Sequence, residues 1–120
     1  MKCKVVLHSD GQTQNFSCVG ELILNEKSFS LSYTFGPDIC FLTYDGEILR
    51  HEKKGEIPVS IEFVSSGKTL CKIGSDGFSG EIPVYTNSLE VRVCDGNISI
   101  EIVYELGGEN KQMKISAVWS

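Results

Sequence analysis

The sequence from Val93 to Ser120 reads VCDGNISIEIVYELGGENKQMKISAVWS, and its apolar residues recur at alternate positions. A period of two is typical of a β-strand with one buried face. The dipeptide Asp95-Gly96 favours a two-residue hairpin turn of type I′, which places Val91 opposite Ile100. The segment is therefore predicted to form strand, turn, strand, turn and strand, with one apolar face.

The second turn of this segment is predicted at Glu109-Asn110, which would place Leu106 opposite Met113. Directly opposed residues of an antiparallel pair point to the same face, and on this face apolar residues meet apolar ones. The other face carries acids, with Glu90 opposite Glu101. The residues assigned to the buried face include Val93, Ile98, Ile100, Ile102, Tyr104 and Met113.

The N-terminal half of the chain shows the same alternation. A turn around Glu26-Lys27 pairs Leu22 with Leu31, and the other face of that hairpin is a row of Ser and Thr. Asp45-Gly46 predicts another tight turn. The residues on either side of that turn do not show which of their faces is buried.

A further hairpin is predicted around Gly67, where the alternation requires a loop with an odd number of residues. A three-residue loop with a left-handed glycine places Phe63 opposite Cys71. Turn signals recur about every ten residues, a spacing typical of all-β sandwiches and barrels.

Closure of the sheet follows from the number of strands. About ten strands with short connections form an up-and-down meander, and an open sheet of that kind would leave an apolar face and two edges bare. The first strand, from Lys2 to His8, is expected to pair with the last part of the chain. The prediction is an all-β fold with little or no helix, in which residues 1–120 form one domain, a single closed up-and-down antiparallel β-barrel of about eight to ten strands.

The charge and hydropathy of the chain argue against several partners. The net charge is −5 and the only arginines are Arg50 and Arg92, whereas a phosphate-binding surface needs clustered Lys and Arg. No apolar run reaches about 18 residues, so no span of a membrane is expected. The apolar run near the N-terminus is too brief for a signal peptide. Neither nucleic acid nor a membrane is an expected partner, and a cytoplasmic location is predicted.

The cysteines are widely spaced and include no C-x-x-C pair. We interpret all five as reduced thiols that act as small buried hydrophobes, and neither His lies at zinc-ligand spacing from a Cys. No metal or other cofactor is expected. The five positions are Cys3, Cys18, Cys40, Cys71 and Cys94.

No set of residues indicates an enzyme. His8-Ser9-Asp10 has the residue types of a catalytic triad, but consecutive residues of a strand cannot converge on one another. His51 lies in the polar stretch LRHEKK and is interpreted as an exposed residue at a strand end. The acids fall on the polar faces of strands, which a solvated barrel exterior explains.

Three stretches resemble the YwiB-like family of small bacterial proteins. They are GELILNEKSFSLSYTF, FLTYDGEILRHEKKGEIPVSIEFVSSGK and YELGGENKQMKISAVW, and the resemblance extends over nearly the whole chain. It rests on the order and spacing of these stretches, because none of them is a catalytic motif. The resemblance implies a calycin-like, that is lipocalin-like, β-barrel, and it implies no known activity.

The predicted barrel leaves two functions open, because a barrel of about eight strands is just wide enough to pack itself or to hold one small ligand. In the first, the protein binds a small, mostly apolar molecule, and the candidate ligand-binding residues in the barrel interior are Tyr33, Phe35 and Tyr104. A buried Tyr hydroxyl needs a partner. In the alternative, the barrel is filled and acts as a structural or protein-interaction module through its outer surface. A monomer or a weak homodimer is expected.

Overall fold

The computed structural model describes residues 1–9, 16–75 and 78–119, and the regular structure in these ranges is β-strand throughout. No helix in them is long and apolar enough to cross a membrane. The strands are β1 (Lys2–Ser9), β2 (Phe16–Leu24), β3 (Phe29–Phe35), β4 (Asp38–Tyr44), β5 (Leu49–Lys54), β6 (Val59–Phe63), β7 (Gly67–Ser75), β8 (Phe78–Cys94), β9 (Asn97–Leu106) and β10 (Glu109–Val118).

The ten strands close into one antiparallel barrel in which each strand pairs with its neighbours in the sequence. Closure is made by β1, which pairs with β10 through Leu7 opposite Ile115 and with β2 through Val5 opposite Cys18. The prediction of a closed up-and-down barrel is therefore confirmed. A closed sheet has no unpaired edge at which other chains could add strands.

Two of the predicted hairpin registers are confirmed. Val91 lies opposite Ile100 across the Asp95-Gly96 turn, and Leu22 lies opposite Leu31 between β2 and β3. In both hairpins the apolar residues of the two strands lie opposite each other, as the alternation predicts.

The predicted register between β9 and β10 is wrong. Leu106 lies opposite Glu109 rather than Met113, and Met113 lies opposite Ile102. The turn is made by Gly107-Gly108, whose φ angles of 58° and 89° are both positive, as a type I′ turn requires. The shift is an even number of residues, so the same side chains still face inward.

The register between β6 and β7 also differs from the prediction, again by an even number. Cys71 lies opposite Ile61 rather than Phe63, and Gly67 has a φ of 136°. The loop therefore begins and ends one residue earlier than predicted. Cys71 remains on the inner face and is buried.

The connection between β4 and β5 is a four-residue loop rather than a tight two-residue turn, because Tyr44 pairs with Leu49. The Asp45 carboxylate accepts hydrogen bonds from the backbone N–H groups of Glu47 and Ile48, both at 2.8 Å. This loop settles the faces that the sequence left open: Leu49 is buried, and every second residue after it points inward.

The barrel encloses one core of apolar side chains from all ten strands. Val93 was expected in this core but is 50% exposed, because it lies at the end of β8 beside the Asp95-Gly96 turn. The fully enclosed apolar residues are Cys3, Val5, Leu22, Phe29, Leu31, Tyr33, Cys40, Leu42, Leu49, Ile61, Phe63, Cys71, Val84, Ile98, Ile100, Ile102, Ile115 and Ala117.

The outer wall is polar and carries its charges in cross-strand pairs. Glu90 lies opposite Glu101 as predicted. Each acid has a cation beside it: Arg92 lies 3.4 Å from Glu90, and Lys114 on β10 lies 3.7 Å from Glu101. The repulsion between the two acids is therefore offset from both sides of the pair.

Candidate functional site

The inner face of β5 carries an unexpected polar side chain, that of His51. His51 lies opposite Leu42 on β4 and opposite Ile61 on β6, and both of these residues are buried. Opposed residues share a face, so the imidazole points into the barrel. The prediction that His51 is an exposed strand-end residue is wrong, because its charged neighbours in the sequence belong to the outer face or to the barrel rim.

The His51 ring is held by the phenol of Tyr33. The Tyr33 hydroxyl and Nε2 of His51 are 2.7 Å apart, and the two rings lie nearly parallel, with an interplanar angle of 16°. Cys40 lies opposite Tyr33 across β3 and β4, and its thiol interacts with the same hydroxyl. Cys40, Tyr33 and His51 thus form a chain of polar groups inside the barrel, which we call the inner polar chain.

All three groups of the inner polar chain are neutral near pH 7. Burial, with a smaller contribution from the positive charge of Lys53, lowers the pKa of His51 to about 4. Burial also raises the pKa of the Tyr33 hydroxyl, with the Cys40 thiol adding to the effect. The pKa of Cys40 is raised as well, mainly by burial. The chain therefore offers hydrogen bonds without a charge of its own.

One nitrogen of the inner polar chain is left unused. Nδ1 of His51 has no hydrogen-bond partner among the described residues, since the ring's one hydrogen bond there is to Tyr33. In the described part of the chain, Thr86 Oγ1 is the one side-chain polar atom of a non-exposed residue that is sealed from solvent without a partner. Nδ1 is therefore not among the atoms that are fully sealed from solvent.

The inner polar chain lies below one end of the barrel, which we call the His51 mouth. The mouth is bordered by the inward-facing residues Phe35, Asp38, Lys53, Val59 and Ile73, all of which are exposed or half-buried. An open groove of about 390 Å³ runs over the rim past the last three of these. Lys53 Nζ lies 3.9 Å from a carboxylate oxygen of Asp38, too far for a strong hydrogen bond.

The candidate ligand-binding residues predicted from the sequence occupy three different environments. Tyr33 is buried, as expected, and belongs to the inner polar chain. Tyr104 is half-buried and packs edge-on against Phe63 with ring centroids 4.9 Å apart. Burial raises the pKa of Tyr104.

Phe35 does not lie in the interior as predicted, because 46% of its surface is exposed. It alternates correctly with Tyr33 on the inner face of β3 but ends that strand at the Gly36 turn. The regular pairing between β2 and β3 ends at Glu21 and Ser32, before Phe35 is reached. Phe35 is therefore a rim residue of the His51 mouth.

Reasoning from the sequence missed His51 as an interior residue. The signal was present, because Leu49 and His51 are two positions apart and Leu49 is strongly apolar. The loop length does not change this face, because a two-residue turn would place His51 opposite Cys40 and the observed four-residue loop places it opposite Leu42, both of which are buried.

No group of at least three His, Cys, Asp or Glu side chains in the described ranges is placed to hold a metal ion. All five thiols are unpaired in the structure, and three of them, Cys3, Cys40 and Cys71, are buried. The His51 mouth combines apolar walls, one partnerless ring nitrogen and one ammonium group.

A closed antiparallel barrel with a polar chain beneath one mouth defines this molecule as a small single-sheet barrel protein. A family model described as "Domain of unknown function (DUF1934)" matches residues 2–117. The chain belongs to this family, in agreement with the resemblance that the sequence shows.

Comparison with solved structures gives a match to the crystal structure of the ywiB protein from Bacillus subtilis. The TM-score is 0.75 with 18% sequence identity, and the match covers 99% of this chain and 89% of that chain. At that identity the likeness concerns the fold. A comparison with curated proteins found no match.

Proposed function

We propose that the barrel binds a small, mostly apolar molecule at the His51 mouth. The observation that carries the proposal is the inner polar chain, whose Nδ1 has no partner among the described residues and which lies near an end of the barrel where the described inward-facing side chains are exposed or half-buried. Binding sites for small molecules are commonly apolar concavities with a few fixed polar groups, and barrel mouths are a frequent location for them.

The middle of the barrel limits the size of such a molecule. Its inner face is filled by large side chains such as Phe63, Leu42 and Ile102, which have no exposed surface. The bound molecule would therefore lie at the mouth, against Val59 and Ile73, rather than along the barrel axis. Val59 and Ile73 are half-buried, so part of each side chain is available to contact such a molecule.

Titration with the neutral, apolar dye Nile red tests the proposal. Wild type should give saturable fluorescence, and Val59→Trp should weaken binding by about tenfold or more, because the indole fills the mouth. Val103→Trp is the matched control, since Val103 lies on the outer wall of β9 and is exposed. Absence of saturable binding to wild type, or equal weakening by both variants, would contradict the proposal.

We propose binding without catalysis, in the cytoplasm. The neutral state of Tyr33, Cys40 and His51 supports the first part, because no group of the inner polar chain is poised to take up or release a proton near pH 7. The free thiols support the second, since disulfides are rare in that compartment.

An alternative function, self-association through the outer wall, is favoured by a separate observation. Val19 and Ile39 are 69% and 48% exposed and border a shallow groove that also contains Ser32 and Thr34. Exposed apolar patches commonly mark interfaces. In sedimentation velocity, a weak homodimer would show a sedimentation coefficient that rises with concentration in wild type and not in Val19→Lys. A constant coefficient in wild type would remove this alternative.

A further inference from the structure

The direction of the hydrogen bonds in the inner polar chain determines what the His51 mouth can hold. Tyr33 and His51 share one proton across 2.7 Å, and either group could donate it. A phenol O–H is a far better donor than a neutral imidazole N–H, and an imidazole nitrogen is a far better acceptor than a phenol oxygen. Tyr33 therefore donates to Nε2.

With Nε2 accepting, a neutral imidazole carries its hydrogen on Nδ1. Nδ1 is the nitrogen that lacks a partner among the described residues and is not sealed from solvent. The Cys40 thiol can complete the same order by donating to the Tyr33 oxygen. The unpaired group of the inner polar chain is thus a donor, not an acceptor.

A second donor lies two positions along β5 on the same face. Lys53 points inward, because it lies opposite Cys40 on β4 and opposite Val59 on β6. Its ammonium group donates only, and its contact with Asp38 is long, at 3.9 Å. Asp38 is the acid among the described inward-facing residues of this rim, and it forms a long ion pair with Lys53, while Glu52 and Glu81 line the groove from the outer wall.

We infer that the molecule bound at the His51 mouth presents an acceptor oxygen, as a carboxylate or carbonyl group does, to Nδ1–H of His51 and to the ammonium of Lys53. The inference rests on the proposed function and names the class of molecule. Its apolar part would contact Val59 and Ile73. A molecule whose polar end is a cationic donor would face two donors and is disfavoured.

Competition with bound Nile red tests the inference, with octanoate, 2-octanone and octylammonium as probes that share a chain and differ in their polar end. Octanoate should displace the dye from wild type at about tenfold lower concentration than octylammonium. If 2-octanone displaces the dye at a concentration close to that of octanoate, the polar group of the ligand is a carbonyl. If 2-octanone needs a concentration close to that of octylammonium, the polar group is a carboxylate. Equal displacement by octanoate and octylammonium would overturn the inference.

In the doubly substituted variant His51→Phe/Lys53→Met, the ratio of the octylammonium and octanoate concentrations that displace the dye should fall from about ten to about one, whatever the variant's affinity for the dye itself. An unchanged preference would also overturn the inference. If wild type does not bind Nile red, the proposed function itself fails, so the two failures are distinguishable.

Nuclear magnetic resonance of the unliganded wild-type protein gives an independent check, because the measurement requires no substitution. Long-range ¹H–¹⁵N correlation spectra of the imidazole distinguish its tautomers. The His51 ring should be protonated at Nδ1 and unprotonated at Nε2. The opposite tautomer would present an acceptor at the mouth and would overturn the inference.

Discussion

At the scale of single residues, the inner polar chain is the least expected feature of the molecule. Tyr33 and His51 bring two polar side chains into an apolar barrel, which is favourable only if each finds a partner. Their bond at 2.7 Å supplies that partner. Removal of one member therefore costs more than the bond itself contributes.

The substitution Tyr33→Phe should lower the free energy of unfolding by about 1–3 kcal/mol, because Nε2 of His51 is left without its donor. Tyr104→Phe is the control, since the Tyr104 hydroxyl has no hydrogen bond within the described ranges and its ring contact with Phe63 is kept. Urea unfolding followed by circular dichroism measures both. Equal losses in the free energy of unfolding for the two substitutions would show that the Tyr33–His51 hydrogen bond does not stabilise the fold.

Stability should depend on pH through His51. The pKa of this residue is about 4 in the folded protein and 6.5 when unperturbed, so the unfolded chain binds more protons between these values and stability rises with pH. On lowering the pH from 7 to 5, about 2 kcal/mol should be lost through His51. His51→Phe removes this contribution while every carboxylate stays. A pH dependence identical to that of wild type would show that His51 is not buried as described.

At the scale of strands and turns, the sequence predicts the faces better than the registers. The predicted pairing across Asp95-Gly96 is correct, but the turn is not of type I′, because Gly96 has a positive φ of 84° and Asp95 does not. Between β9 and β10 several turn residues compete, and the adjacent glycines Gly107-Gly108 form the turn because both can adopt positive φ. Both wrong registers are shifted by an even number of residues, so the buried face is still correct.

The same scale explains the two misplaced residues of the site. Alternation assigns Phe35 to the inner face but does not show that the regular pairing of β2 with β3 ends before this position. For His51, its polarity and its charged neighbours indicated the surface, although its alternation with Leu49 places it inside. The hydrogen bond between His51 and Tyr33 joins two different strands, so the local sequence pattern of neither strand predicts it.

Close contact between strands makes Gly20 a sensitive position on β2. A Cβ atom there would lie 2.7 Å from the Ser32 carbonyl oxygen and 2.9 Å from a methyl group of Val5. Gly20→Ala should therefore destabilise the protein by about 1–3 kcal/mol through overpacking. Gly74→Ala is the control, because nothing lies within 4 Å of that Cβ position. Thermal unfolding of the two variants should differ clearly, and equal melting temperatures would contradict the β2–β3 packing.

At the scale of the whole molecule, one closed sheet encloses a core of large buried side chains, with the inner polar chain towards one end. Ile100→Ala should leave a cavity in that core and cost about 2–5 kcal/mol. Glu101→Ala, one residue along on the outer wall, should cost less than about 1 kcal/mol, because its pair with Lys114 is exposed. Denaturant titration compares them. A neutral Ile100→Ala with an unfolded Glu101→Ala would mean that inside and outside are exchanged.

The measurement that tests the central claim most directly is a titration of ¹⁵N-labelled protein with octanoate, followed by ¹H–¹⁵N correlation spectra. Saturable shifts should concentrate on the backbone amides around the His51 mouth, at His51, Lys53, Val59 and Ile73, with the amides of Val19 and Val103 on the outer wall unmoved. Shifts centred on Val19, or no saturable shift at any amide, would contradict the account of this barrel as a binding protein that works through the His51 mouth.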